Sequence, residues 1–149
     1  MTAKEYNSLS ELQQYAPANF LHQTKFSEKG QIGNCMMTCF ANYFGELISQ
    51  VPPIEELFPF GTHLWEETLD FWMEEKGYVV YRCLSDPYDK GLVKDLEIYF
   101  GAGTSIRGHH HLIMLANGEF LFDPHPSNGG VEVLEYWYLK KIERDDLPH

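Results

Sequence analysis

Nowhere do 18 apolar residues follow one another, so no stretch reads as a membrane-spanning helix. The first fifteen residues are polar and lack the basic flank and apolar run of a secretory signal. Positive charge is scarce: 11 Lys and Arg stand against 22 Asp and Glu, a formal net charge of -11. Nucleic-acid affinity is built mainly from Lys and Arg that neutralise phosphates, so this balance argues against a nucleic-acid partner. Cysteine is sparse and odd in number, three in all, which suits free thiols in a reducing compartment better than a disulfide framework. The expectation is a soluble cytoplasmic protein that engages neither membrane nor nucleic acid; oligomeric state is not legible.

What is present is apolar mass. With 44% hydrophobic and 15% aromatic residues, the chain can bury a core without staples, metal or cofactor. Its 149 residues contain no linker-like stretch, so residues 1–149 are expected to form one domain. Acidic residues cluster: Glu46, Glu55, Glu56, Glu66, Glu67, Asp70, Glu74 and Glu75 fall in residues 30–75 without a Lys or Arg among them. A solvated acidic face accounts for them more simply than a surface that steers a basic partner.

The first 30 residues carry scattered apolar positions and Pro17, consistent with a short helix and an irregular arm. Residues 34–49 read as a mostly buried helix with a narrow polar stripe (Thr38, Asn42, Glu46) and Asn34 at its N-cap. A second, amphipathic helix is expected over 64–76, with Gly77 past its end. Strands are expected at 78–84, at 97–100 before a loop at Gly101-Ala102-Gly103, in a hairpin joining 111–115 to 119–123, and at 131–139. Helices first and strands afterwards, without βαβ alternation, predict an α+β fold with an antiparallel sheet.

The chemistry concentrates around Cys35. A thiol must ionise to act as a nucleophile, and a free Cys, with a pKa of roughly 8.5, is mostly protonated at neutral pH. Directly after the expected N-cap, unpaired N–H groups and the positive end of the helix dipole favour a thiolate and offer part of an oxyanion hole. Gln31 is a candidate for a further N–H donor there, although a plain surface role is the commoner fate of such a residue. The candidate bases are His109, His110 and His111. A two-residue Asn117-Gly118 loop puts Asp123 on the side of His110; a three-residue loop with Gly118 in the left-handed region puts it opposite His111. The three-residue loop is preferred, because it gathers Leu112, Met114, Phe120 and Phe122 on one apolar face and leaves His111 with Asp123 on the other. His111 would then activate the thiol and protonate the leaving group, while Asp123 orients the ring.

Gln31-Ile-Gly-Asn-Cys35 at a helix start, followed by His111-Leu-Ile-Met and Leu121-Phe-Asp123-Pro-His-Pro-Ser127, resembles the papain-like cysteine peptidase superfamily, especially its compact C39-like and NlpC/P60-like branches. The segment 99–130 is also similar to small phage and bacterial proteins whose hairpin ends in Asp-Pro-His-Pro-Ser. The resemblance implies a papain-like fold with a nucleophile helix packed on an antiparallel sheet. It further implies a Cys35-His111-Asp123 triad with Gln31 at the oxyanion hole, and hydrolysis or transfer at an amide, isopeptide or thioester of a peptide or protein.

Three other readings compete. Cys35 and Cys39, four apart on one helix, could join two of the histidines in a zinc site, but a Cys-x3-Cys spacing is weakly specific. An interaction or inhibitor module could keep such a fold without turnover. Cys35 could also be an ordinary core thiol. His125, between two prolines, reads as filling a rigid loop, and Cys83 as core.

Overall fold

The structure, a computed structural model, describes residues 4–6, 17, 19–105, 108 and 110–143. Two α-helices, α1 (Cys35–Phe44) and α2 (Thr62–Glu75), come before most of the strands, with 3-10 turns at Ser27–Lys29, Ile48–Gln50 and Ile54–Phe60. The strands are β1 (Lys4–Tyr6), β2 (Tyr78–Cys83), β3 (Tyr99–Ser105), β4 (His110–Ala116), β5 (Glu119–Phe122) and β6 (Val131–Lys141). They form one antiparallel sheet in the order β1-β6-β3-β4-β5, and β2 also pairs with β6. The fold is therefore mixed α+β with an antiparallel sheet. β1 lies in the arm where no strand was expected, and the short helix expected there falls mainly outside the described residues, as does His109.

Alternation along the strands separates two apolar layers. Phe100, Leu112, Met114 and Trp137 pack with Met36 and Phe40 of α1 and with Leu69 and Met73 of α2. Tyr99, Ile113, Leu115, Phe120, Val133 and Tyr136 form the second layer. Side chains of successive strand residues point to opposite faces, which is what divides the odd from the even positions of β4. α1 stops five residues short of the expected end. Gly45 adopts φ 66°, and the N–H groups of Gly45 and Glu46 turn back to the carbonyls of Asn42 and Ala41, a left-handed cap that a glycine makes cheaply.

Two expectations about the sheet need correction. The glycines at 101 and 103 are not in a loop; they lie inside β3, where β6 comes too close for a side chain. A Cβ on Gly103 would sit 1.8 Å from the carbonyl oxygen of Glu132, and one on Gly101 would sit 2.7 Å from Val133 Cγ2. The β3–β6 register shifts here, from Ala102 opposite Glu135 to Gly103 opposite Val133, so Leu134 is the extra residue of a bulge and is exposed.

The hairpin turn is also not the one preferred above. Ala116 pairs with Glu119, so the loop is the two residues Asn117 and Gly118, with φ 56° and 74°. Both signs are positive, as a type I′ turn requires. That turn alone would have put Asp123 opposite Leu112, on the side of His110. A bulge between the Leu115–Phe120 and Met114–Phe122 pairs absorbs Leu121 and shifts the register by one residue. The shift changes the parity, so Asp123 comes to the side of His111 by a different route. The two-residue turn, by pairing Phe120 with Leu115, also removes Phe120 from the face of Leu112 and Met114 and places it in the second layer.

Candidate active site

Cys35 occupies the first position of α1, partly open to solvent. Asn34 precedes the helix as expected, but its side chain does not cap it. Its Oδ1 accepts the N–H groups of Thr24 and Lys25, each at 3.0 Å, and its Nδ2 donates to Thr24 Oγ1 at 2.9 Å. Asn34 thus fastens the preceding loop to the helix start. The cap comes from Glu55, in the 3-10 segment after Pro53: Met36 N–H donates to Oε2 at 2.7 Å and Met37 N–H to Oε1 at 3.3 Å. A carboxylate is well suited to those unpaired donors at the positive end of the helix. Glu55 is 4% exposed, so it is no part of the solvated acidic face expected from the sequence. Three others of that set are matched by cations from outside the stretch: Glu46 by Lys76, Glu56 by Lys25 and Glu66 by Arg82.

Burial pushes the Cys35 thiol well above its ordinary value, and the nearby Glu55 carboxylate pushes it further. The backbone N–H groups of Leu112 and Met36 favour the thiolate but do not offset this, and Asp123 adds to the upward shift. At this helix start, burial and a neighbouring carboxylate thus oppose the thiolate that the dipole favours. Burial also pushes the Glu55 carboxyl up, to about 7, against the N–H groups of Met36 and Met37. Two negative charges at one desolvated helix end are mutually unfavourable.

His111 and Asp123 meet directly. Nε2 of His111 lies 2.5 Å from Oδ1 of Asp123, with both side chains almost completely buried. The carboxylate also accepts the N–H of His125 at 2.8 Å and that of Gly130 at 2.8 Å. The chain turn through Asp-Pro-His-Pro-Ser thus wraps around Asp123. With Nε2–H given to the carboxylate, Nδ1 is the ring nitrogen left to take a proton. His125 is buried, and Ser127 N–H donates to its Nδ1 at 3.0 Å, so that nitrogen is an acceptor and Nε2 carries the hydrogen toward Glu28 at 2.6 Å. The His125–Glu28 bond ties the Asp123 turn to the loop before Cys35.

A cleft of about 350 Å³ brings these groups together: Cys35, Gln31, Glu55, His110, His111 and His125 all line it, with Phe58 and Pro59 as an apolar wall. Among the described residues no hydrogen bond joins Cys35 Sγ to either imidazole. Gln31 is exposed, and its Oε1 accepts Phe26 N–H at 3.0 Å, which leaves its NH2 as the donor available to a bound carbonyl. His110 is exposed at the rim. Cys39 is fully buried and donates to Leu112 O at 3.5 Å, directed into the core. Among the described residues, no group of three or more His, Cys, Asp and Glu side chains is disposed to hold a metal ion, and no helix is long and apolar enough to cross a membrane.

Sequence reasoning missed Glu55 and Glu28. A signal for Glu55 was present: it follows Val51-Pro52-Pro53-Ile54, and an acidic residue next to apolar positions that must be buried needs hydrogen-bond donors of its own. For Glu28 there was no comparable signal. No family profile, curated protein or solved structure matches the chain.

Proposed function

We propose that the chain is a cysteine-nucleophile hydrolase or transferase of papain-like type, acting on an amide, isopeptide or thioester of a peptide or protein. The observation that carries this reading is the buried His111–Asp123 pair at 2.5 Å, sharing one cleft with the helix-start Cys35. A carboxylate fixed on Nε2 sets the imidazole tautomer and stabilises the imidazolium when it forms. Nδ1 of His111 takes the Cys35 proton as the sulfur attacks the substrate carbonyl carbon. The new S–C bond forms while the carbonyl π electrons move to oxygen, where Gln31 NH2 and the backbone N–H of Cys35 stabilise the charge. Collapse breaks the bond to the leaving group, which departs with the proton from His111. Water or an amine then releases the acyl group and restores the thiol.

Acylation by p-nitrophenyl acetate tests the proposal. The expected result is a burst of one equivalent of nitrophenolate and an acetyl group located on Cys35 by peptide mass spectrometry, both abolished in Cys35→Ala. The raised thiol favours a second reading, a non-catalytic interaction module that keeps the site geometry. A Cys35 that stays unmodified while the folded protein remains intact supports that reading and rejects the first.

A further inference from the structure

Asn34 is positioned to cap α1 and does not, whereas Glu55 reaches across from a separate segment to do so. Both carboxylate oxygens are used, Oε2 on Met36 N–H and Oε1 on Met37 N–H, whereas a Gln would turn an NH2 group toward one of those donors. Besides capping the helix, the carboxylate places a negative charge in the wall of the cleft lined by Cys35 and His111. Met36 N–H, which bonds Glu55 Oε2 at 2.7 Å, belongs to the residue that directly follows Cys35 in the first turn of α1.

We propose that Glu55 is a positioning residue of this site: it holds the first turn of α1 in place and keeps the resting sulfur of Cys35 protonated, so that the proton leaves only when a bound substrate recruits His111. The inference rests on the proposed function for its mechanistic meaning, but its physical content concerns the sulfur alone. The other ionisable groups around Glu55 do not cancel its charge. Glu56 on its own segment is paired with Lys25 at 3.3 Å. Glu28 on the loop before α1 bonds His125 at 2.6 Å. His111 at the start of β4 is committed to Asp123, itself an anion, and His110 sits exposed at the rim. A resting neutral thiol resists oxidation and adventitious alkylation, because the thiolate is the reactive form.

Iodoacetamide alkylation of Cys35, followed from pH 6 to 10 by peptide mass spectrometry that resolves Cys39 and Cys83, tests the proposal without requiring turnover. In Glu55→Gln the rise of alkylation with pH is expected to be displaced about one pH unit toward lower pH than in the wild type. Its alkylation at pH 9, where the wild-type carboxyl is ionised, should be about threefold faster, less than tenfold because a less basic sulfur is also a weaker nucleophile. Glu55→Asp, which keeps the charge, should keep the wild-type profile. Equal profiles in wild type and Glu55→Gln, with helix content unchanged by circular dichroism, would overturn the proposal. If Glu55→Gln does not fold, the reciprocal titration decides: in Cys35→Asp the Glu55 side-chain carboxyl resonance should titrate about one pH unit higher than in Cys35→Ala, and coincident curves reject the inference. A shifted alkylation profile with no ester acylation would retain the role of Glu55 and reject catalysis.

Discussion

Asp123 accepts three hydrogen bonds while 1% exposed, so its carboxylate exchanges hydration for a complete set of protein donors. Asp123→Ala leaves those donors unpaired in the interior and is expected to lower unfolding stability by about 3 kcal/mol, read from urea denaturation. Asp123→Asn preserves the shape and should lose less stability, yet it exchanges one acceptor for an NH2 group. Acylation of Cys35 should fall about a hundredfold or more in both variants, since the ring is then no longer held in its productive tautomer. A loss of acylation that merely tracks the loss of folded protein would contradict an orienting role. The cysteines sort by surroundings in the same way. Cys39 is sealed against Leu112 O, and Cys83 donates to Ser85 O at 3.3 Å, so neither stands in the cleft with His111.

Among the elements, the β4–β5 hairpin and β3 show what a pattern in sequence conveys and where it stops. The hairpin itself was legible, because Asn117-Gly118 between two apolar runs is a strong local turn signal. So was the pairing of His111 with Asp123, but through the wrong turn. The bulge at Leu121 has no local signature; it follows from how β4 and β5 pack as a whole, and the turn and the bulge together leave His111 and Asp123 on one side of the sheet. Gly101-Ala102-Gly103 was misread for a related reason. Glycine signals a turn locally, whereas here its use is the close approach of β6, a contact between residues far apart in sequence. Gly103→Ala is accordingly expected to be among the most destabilising single changes, by about 3 kcal/mol or more in denaturant titrations, because backbone rather than a flexible side chain stands in the way. Gly118→Ala, at φ 74° and with its nearest neighbour, Tyr88 Cδ2, at an ordinary 3.4 Å, should cost about 1 kcal/mol. Equal costs at the two glycines would contradict this distinction. The start of α1 was legible to within one residue, but the donor that caps it was not, because Glu55 arrives from another segment.

For the molecule as a whole, the charge balance gives the pH dependence a definite sign. The Glu55 carboxyl titrates at about 7 when folded against 4.5 unfolded, so between those values the native chain keeps a proton that the unfolded chain has released. Its contribution is present in full below pH 4.5 and is lost as pH rises through 7, a decline on the order of 3 kcal/mol. Urea titrations at pH 5 and pH 8 should show this fall in the wild type and a much smaller one in Glu55→Gln; parallel falls would place the effect elsewhere in an acidic chain of net charge -11. The same carboxylate opposes ionisation of Cys35, which makes assistance by one particular histidine the crux of the whole account. The most direct measurement is the second-order rate of Cys35 acetylation by p-nitrophenyl acetate in wild type, His111→Ala and His110→Ala. Removal of His111 should slow acetylation by about a hundredfold or more, the range for loss of a general base, whereas His110→Ala should leave it within a few fold. A large loss in His110→Ala alone, or no loss in either variant, would contradict the assignment of Cys35 and His111 as a working pair.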